Sequence, residues 1–261
     1  MKILLTNDDG IHAQGLHALA HELASFAEIY VAAPDRERSG TGHSITVFDP
    51  IRVVPANIAC TRGSWVIGGT PVDCVKLAIH RLIDGNIDLV VSGINHGPNL
   101  GTDVLYSGTV SAAAEGVLLG MPSIAVSLNT HKSEIDCDFA ARFTGNFIKQ
   151  LMQQAIERKT LININIPVIP PDTIKGIRIT KLGVRNYENL FDERKDPRGR
   201  TYFWMGGGVI EEEQENDSDV KAISESYISV TPIHLDLTDY GLIDHYRELF
   251  AGFLDKPGDR L

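Results

Sequence analysis

The sequence predicts an α/β protein built on a doubly wound, mostly parallel, Rossmann-like sheet. Over the first half of the chain, short apolar and mostly β-branched segments alternate with longer segments whose apolar residues have helical spacing. Strands that alternate with helices imply right-handed crossovers, which place the strands in one parallel sheet between helices. The 261 residues suffice for one large domain of this kind, or for such a domain with an appendage.

The first half of the chain contains the predicted parallel strands. Short β-branched runs are typical of strands that are buried on both faces of a sheet. Two further β-like segments, 46–54 and 64–69, interrupt the alternation and predict an extra hairpin. The predicted strands are 3–6, 28–33, 87–92 and 123–128, and the predicted helices are 15–27, 72–83 and 109–120.

The sequence pattern changes after about residue 175. Short strand-like runs mixed with basic residues, aromatics and glycines predict a C-terminal β-hairpin arm, and the acidic run 211–219 is predicted to be a solvated loop. We therefore divide the chain into an α/β catalytic core, 1–175, and a C-terminal hairpin arm and helix, 176–261, which packs on the core and serves oligomerisation. The other elements predicted here are a helix at 137–156, strands at 161–167 and 227–233, and a terminal helix at 239–254.

The charge, cysteine content and hydrophobicity of the chain limit the kinds of partner that we expect it to bind. With 24 basic and 34 acidic residues the net charge is −10, which argues against binding to a nucleic-acid duplex but permits a small anionic ligand in a local pocket. The three cysteines form no Cys-x-x-Cys pair, so neither a zinc site nor a disulfide framework is indicated. No stretch approaches the roughly 18 apolar residues of a membrane helix. We expect a cytoplasmic protein that does not bind membranes.

Polar residues follow three of the predicted parallel strands. Because the carboxyl ends of such strands open onto one edge of the sheet, residues far apart in sequence can converge there. They are Asn7, Asp8, Asp9 and Gly10 after the first strand, Asp35, Ser39 and His43 after the second, and Asn95, Asn99, Ser107 and Thr109 after the strand at 87–92.

The adjacent carboxylates Asp8 and Asp9 need an explanation, because like charges side by side repel. A divalent cation would neutralise the pair, and carboxylates, amides and hydroxyls suit Mg²⁺, Mn²⁺ or Ca²⁺. The alternative is structural, since Asp-Asp-Gly is also a common tight turn that caps a helix.

The stretch YSGTVSAAAEG begins a helix with Ser107, Gly108 and Thr109. Free backbone N–H groups and hydroxyls at such a position attract an anion, and the alternative role of Ser107 as an N-cap is compatible with this. Neither a phosphate-binding P-loop nor a G-x-S-x-G nucleophile elbow is present. His43 and His96 lie in the right loops to donate a proton or bind a ligand, although a lone loop histidine more often does neither.

Five stretches together resemble the survival protein SurE family of metal-dependent nucleotidases and acid phosphatases. They are LTNDDGIHAQG, VAAPDRERSGTGHSIT, GGTPVDCVKLA, VVSGINHGPNLGTDVLYSGTVSAA and GMPSIAVS, in this order within residues 1–130. The resemblance implies hydrolysis of nucleoside 5′- and 3′-monophosphates, and in some members of short polyphosphate. It also implies homodimers or homotetramers that exchange C-terminal elements.

The resemblance further implies one divalent cation, Mg²⁺ or Mn²⁺, and a set of site residues. Whether Asp8 acts as general base, ligand or covalent nucleophile stays open at this stage. The implied metal ligands are Asp8, Asp9, Ser39 and Asn95, and of these Asp8 and Asp9 are also the implied catalytic residues. The implied substrate-binding residues are Asn7, Gly10, Asn99, Ser107, Gly108 and Thr109.

Two other functions compete with this hypothesis. An aspartyl-phosphate phosphatase of the haloacid dehalogenase type also has an aspartate after its first strand, but that class requires Asp-x-Asp, and here the pair is contiguous. A non-catalytic phosphate or nucleotide sensor similar to a receiver domain would bind without turnover. Receiver domains are about half this length, and the loop at 93–109 would have no role in one.

Overall fold

The structure is a computed structural model that describes residues 1–130, 136–154, 160–188, 191–210 and 212–251. Its strands are β1 (Lys2–Thr6), β2 (Glu28–Pro34), β3 (Val53–Pro55), β4 (Gly63–Ile67), β5 (Leu89–His96), β6 (Ser123–Asn129), β7 (Leu161–Pro167), β8 (Ile177–Ile179), β9 (Tyr187–Glu188), β10 (Phe191–Lys195), β11 (Thr201–Met205), β12 (Gly208–Val209) and β13 (Ile228–Ile233). Its α-helices are α1 (Gln14–Leu23), α2 (Pro71–Leu77), α3 (Gly108–Leu118), α4 (Asp138–Leu151), α5 (Asp219–Ser224) and α6 (Tyr240–Leu249).

The main sheet has nine of these strands in the order β3-β4-β2-β1-β5-β6-β7-β13-β8. From β4 to β7 every neighbouring pair is parallel, whereas β3 and β13 run antiparallel to their neighbours β4 and β7. This is the predicted doubly wound α/β architecture. The chain extends the sheet from β1 to one side through β2 and to the other side through β5, so the switch point of the winding lies between β1 and β5.

Both faces of the sheet are covered by helices, which explains why its central strands are mostly apolar. In β1, Ile3 and Leu5 pack into a core cluster that includes α1 and α4, whereas Leu4 packs into a cluster on the opposite face that includes α2. Alternate residues of a strand point to opposite faces, so a strand between two helical layers buries both sets of side chains and is mostly apolar. The predicted alternation of strands and helices is confirmed.

The predicted elements are found with shifted ends. The extra hairpin is β3–β4, and it joins the main sheet. The helix predicted at 72–83 is α2 followed by a π-type turn at Ala78–Leu82, and the helix predicted at 137–156 is α4. The last residues of the helix predicted at 239–254 lie outside the described residues.

The C-terminal segment contains the predicted hairpin, formed by β10 and β11, but part of it belongs to the main sheet. β13 and β8 complete the far edge, so the domain boundary at 175 stays a prediction. The end of the acidic run 211–219 is not solvated. Ser218 caps α5, and Asp219 is fully buried, where its carboxylate accepts hydrogen bonds from the backbone N–H groups of Gly101 and Gly183. Among the described residues, every helix is too short or too polar to cross a membrane.

Candidate functional site

The turn after β1 is shaped by Asn7 and Gly10. The Asn7 amide nitrogen donates to the Gly10 carbonyl at 2.9 Å, and the Gly10 N–H donates back to Asn7 Oδ1 at 3.2 Å. Gly10 has φ of +98°, a conformation that side chains disfavour, and a Cβ there would lie 3.2 Å from the backbone of Arg36. Asn7 is fully buried. These two predicted substrate-binding residues therefore form the turn that presents Asp8 and Asp9.

Asp8 lies against the first turn of α3. The Thr109 hydroxyl donates to Asp8 Oδ1 at 2.5 Å. Gly108 faces the same carboxylate so closely that an added Cβ would be 2.8 Å from Asp8 Cβ and 2.9 Å from Oδ2. The helix N-terminus thus has an anion beside it already, because Asp8 occupies the favourable end of the helix dipole. Thr109, which is predicted to bind substrate, donates its hydroxyl hydrogen to Asp8 in this structure.

Asp9 is held by the carboxyl end of β5. The backbone N–H of His96 donates to Asp9 Oδ2 at 3.2 Å. The preceding residue, Asn95, is buried, and its amide nitrogen donates to the Gly97 carbonyl at 2.8 Å. One hydrogen of the amide nitrogen is used in this way, and the carbonyl oxygen is the atom of the Asn95 amide that could bind a cation, because the nitrogen only donates.

The loop after β2 reaches the same turn. The Arg38 N–H donates to the Asp8 carbonyl at 2.7 Å, so Ser39 follows directly on a contact with the acidic pair. The Ser39 hydroxyl donates to Glu37 at 2.8 Å. Farther along, the Gly42 N–H donates to the Tyr106 carbonyl at 3.0 Å, which joins this loop to the one that precedes α3. Three loops predicted to converge are thus hydrogen-bonded to one another around Asp8 and Asp9.

Burial makes this acidic pair electrostatically costly. Burial raises the pKa of Asp8 from 3.8 to about 6; hydrogen bonds from Thr109 lower it, and the charge of Asp9 raises it further. Burial also raises the pKa of Asp9, against the hydrogen bond from the His96 backbone and the charge of His96, both of which lower it. Each carboxylate therefore resists ionisation more than it would in water.

Asn99 and Ser107 have firm structural contacts of their own. The Asn99 amide nitrogen donates to Ser127 Oγ at 2.7 Å, which leaves one of its two hydrogens for a ligand. Ser107 Oγ accepts the Val110 N–H at 3.0 Å as the N-cap of α3, and its own hydroxyl hydrogen stays available. The structure therefore bears out the N-cap without excluding anion binding.

The two histidines differ in their surroundings. His43 Nε2 pairs at 2.9 Å with Glu115, a buried carboxylate of α3 that also binds Lys76 at 2.8 Å. Burial opposes ionisation of Glu115, but the hydrogen bonds and charges of His43 and Lys76 outweigh it, so the pKa of Glu115 is lowered. His96 has an exposed side chain and reaches Asp9 through its backbone. Glu115 is not among the residues predicted from the sequence to form the site, because it lies in an otherwise alanine-rich helix.

The donor set fits a hard divalent cation. Within the described part of the chain, no three His, Cys, Asp or Glu side chains form a metal-binding cluster, so any cation here would depend on two carboxylates supplemented by neutral oxygens. Such sets, completed by water, are typical of Mg²⁺ and Mn²⁺. The raised pKa of both aspartates also indicates a pair that a positive charge would stabilise.

Position and chemistry together define the class. The chain is a doubly wound α/β protein with an acidic, oxygen-rich site at the carboxyl ends of β1 and β5, the switch point where such sheets bind ligands.

Comparison with known proteins then gives the family. Residues 3–189, more than half of the chain, match the family model described as survival protein SurE. The chain belongs to the SurE family, which consists of divalent-metal-dependent nucleotidases. This confirms the resemblance found in the sequence.

Individual relatives match over nearly the full chain. A 5′-nucleotidase SurE from Syntrophomonas wolfei is 70% identical, with 99% of this chain and 98% of that protein covered. One from Heliobacterium modesticaldum is 50% identical over 100% and 96%. The crystal structure of the SurE protein from Aquifex aeolicus superposes with a TM-score of 0.83 at 38% identity and covers 95% of this chain and 99% of that one.

Proposed function

We propose that this chain hydrolyses nucleoside 5′- and 3′-monophosphates to nucleoside and phosphate, and short polyphosphate as well. One divalent cation, Mg²⁺ or Mn²⁺, would be held by Asp8, Asp9, Ser39 and Asn95. The observation that carries the proposal is the convergence of three loops on the acidic pair, through the hydrogen bonds of Arg38 and Thr109 to Asp8 and of His96 to Asp9. The relatives named 5′-nucleotidase SurE support hydrolysis of nucleoside 5′-monophosphates.

The cation, when bound, supplies charge that neutralises the phosphoryl oxygens and lowers the pKa of a nearby water. The chain itself supplies orientation. Thr109 holds Asp8 Oδ1, so Oδ2 is the oxygen that is left to bind the cation or to accept a proton from the attacking water. A carboxylate with a raised pKa is better suited to accept that proton than one in water.

The phosphate group would be bound at the start of α3. The donors proposed to bind it are the free hydroxyl hydrogen of Ser107, the backbone N–H of Gly108 and the second amide hydrogen of Asn99. Of the two histidines, His43 is paired with Glu115, so His96 is the one proposed to protonate the leaving nucleoside oxygen.

The direct test is phosphate release from 5′-AMP, 3′-AMP and tripolyphosphate with Mg²⁺, with Mn²⁺ and with EDTA. We expect release that requires metal and is restored when metal is returned after chelation. Nucleotide binding without release under any metal would contradict the proposal and favour the sensor. A stable trifluoroberyllate adduct on Asp8 would instead favour the aspartyl-phosphate route.

Gly108→Ala should damage the site more than the fold. The new Cβ would meet Asp8 Cβ at 2.8 Å, and we expect a loss of about 100-fold in kcat/KM because Asp8 is displaced. Gly116→Ala in the same helix is the matched control: its Cβ would meet Ser123 Oγ at 2.4 Å, away from Asp8. Both variants should lose about 1–3 kcal/mol of unfolding free energy, measured by urea titration. Equal kinetic losses in the two would contradict the assignment.

We also propose that the protein forms a homo-oligomer and is located in the cytoplasm. The hairpin formed by β10 and β11 exposes Phe191, Phe203 and Trp204, an apolar surface that a second copy of the chain would cover in a homodimer or homotetramer. Light scattering of the wild type and of a Phe203→Glu variant tests this, with a smaller mass expected for the variant. A cytoplasmic location stays a prediction.

A further inference from the structure

Strand β7 has two asparagines in its buried interior. In its sequence LININIP, Asn163 and Asn165 are fully buried among apolar residues. A buried amide costs free energy unless it is hydrogen-bonded, and a strand in this position would be more stable with apolar residues. The partners of the two amides therefore indicate what they do.

Both asparagines bind the backbone of one residue, Asn99. Asn165 Oδ1 accepts the Asn99 N–H at 2.8 Å, and Asn165 Nδ2 donates to the Asn99 carbonyl at 2.9 Å. Asn163 Nδ2 donates to the same carbonyl at 2.8 Å. Among the described residues, Asn163 Oδ1 has no hydrogen-bond partner, so this side chain acts through its amino group. The two amides replace the backbone partners that Asn99 would have in a strand.

The anchored residue lies in the middle of the loop that builds the site. Asn99 falls between Asn95, a proposed metal ligand, and Ser107, a proposed phosphate ligand. Its own side chain is oriented by Ser127 on β6. Two residues later, the Gly101 N–H donates to the buried carboxylate of Asp219 at 2.9 Å, which gives the loop a second anchor. The first anchor fixes the backbone of Asn99, which is proposed to bind the phosphate group.

We propose that Asn163 and Asn165 are positioning residues for the hydrolysis reaction. They hold the backbone of Asn99, so that its free amide hydrogen stays aimed at the phosphate group and the loop from Gly97 to Leu105 keeps its path. This inference depends on the proposed function for its kinetic consequence, but not for the anchoring itself. Neither asparagine touches the reacting atoms in this role.

Two measurements on Asn165→Ala test the proposal. Amide hydrogen exchange should become faster in the segment 97–105 under conditions where the rest of the sheet stays protected. KM for 5′-AMP and the inhibition constant of inorganic phosphate, at saturating Mg²⁺, should both rise by about tenfold to 100-fold with a smaller change in kcat. Asn163→Ala should show a weaker effect of the same kind, because Asn165 still donates to the Asn99 carbonyl.

Thr231→Val on β13 is the matched control. Thr231 is buried opposite Asn163 in the strand register, and its hydroxyl pairs with Thr180 at 2.7 Å. This variant also loses a buried hydrogen bond, but it should leave KM, the phosphate inhibition constant and exchange at 97–105 unchanged. If Asn165→Ala folds poorly, Asn163→Ala decides the test, because it removes one of the two donors to the Asn99 carbonyl and leaves both Asn165 hydrogen bonds in place.

Different results would overturn the two proposals. If the wild type released no phosphate with any metal, the proposed function would fail, while the exchange measurement would still decide the anchoring. Unchanged exchange at 97–105 in Asn165→Ala, or unchanged KM in an active enzyme, would overturn the positioning role. Equal kinetic effects in Asn165→Ala and Thr231→Val would also overturn it, because they would show a general loss of stability.

Discussion

Asp9→Asn should lower kcat/KM for nucleoside monophosphates by about 1,000-fold, because it removes half of the charge that is proposed to hold the cation and to place the phosphoryl group. Asparagine has nearly the same shape, and its Oδ1 can still accept the His96 N–H that binds Asp9. The turn should therefore persist and the fold should be unaffected. The loss should be largest at low metal concentration, since affinity for the cation falls first.

The measurement is phosphate release from 5′-AMP over a range of Mg²⁺ and Mn²⁺ concentrations. Asp35→Asn is the matched control, because Asp35 is a carboxylate in the loop after β2 but pairs with Arg38 and is partly exposed. We expect near-normal kinetics from this control. Wild-type activity in Asp9→Asn would remove the second carboxylate from the site and leave the turn as its only role.

Asp8→Asn is expected to abolish activity and yet stabilise the metal-free protein by about 2–3 kcal/mol near pH 7. The pKa of Asp8 is raised from 3.8 to about 6, so the folded state binds this proton more tightly than the unfolded state does. A shift of about 2 units corresponds to about 3 kcal/mol, which ionised Asp8 costs the folded state at higher pH. Asparagine carries no charge and can still accept the Thr109 hydroxyl.

The pH dependence of this effect follows from the direction of the shift. Between about pH 4 and pH 6 the folded state holds more protons than the unfolded state at this group, so the contribution of Asp8 to stability falls as pH rises. Below pH 4 the carboxyl is neutral in both states and costs nothing electrostatically. The difference in unfolding free energy between Asp8→Asn and wild type should therefore grow across this window and level off above it.

Urea unfolding in EDTA at a series of pH values measures this difference. The comparison of variant with wild type cancels the titration of groups that do not interact with Asp8, such as Glu115. Added Mg²⁺ should stabilise the wild type and have much less effect on the variant, since only the wild type keeps both carboxylates. A difference that is flat from pH 4 to pH 7 would contradict the raised pKa.

These two predictions describe one physical arrangement. Asp8 and Asp9 lie next to each other in a buried turn. This arrangement destabilises the folded protein, but it concentrates negative charge where a cation could bind. Their neighbours show how the arrangement is maintained: Asn7 and Gly10 close the turn, and Thr109 fixes one carboxylate oxygen. The repulsion between the two carboxylates lowers the stability of the metal-free protein, and a bound cation would relieve it.

The sequence by itself predicted the architecture and indicated which loops would meet around Asp8 and Asp9. The run 3–6 belongs to a strand buried on both faces, so it is apolar almost without interruption and can be recognised without knowledge of the fold. Parallel strands share one carboxyl edge, which is why residues following β1, β2 and β5 were expected to meet around Asp8 and Asp9. The motifs within residues 1–130 gave the family, which the family model confirms.

Only the tertiary structure decided what each polar group does. Thr109 serves Asp8, Glu115 pairs with His43, and Asp219 is buried although it ends an acidic run. Asn163 and Asn165 can be recognised in the sequence as polar residues within an apolar strand. Their partner cannot, because Asn99 lies more than 60 residues away in the chain. A hydrogen bond depends on atoms brought together by packing, whereas hydrophobic period depends on neighbours in the chain; sequence patterns therefore predict elements, and only the folded chain shows the contacts between them.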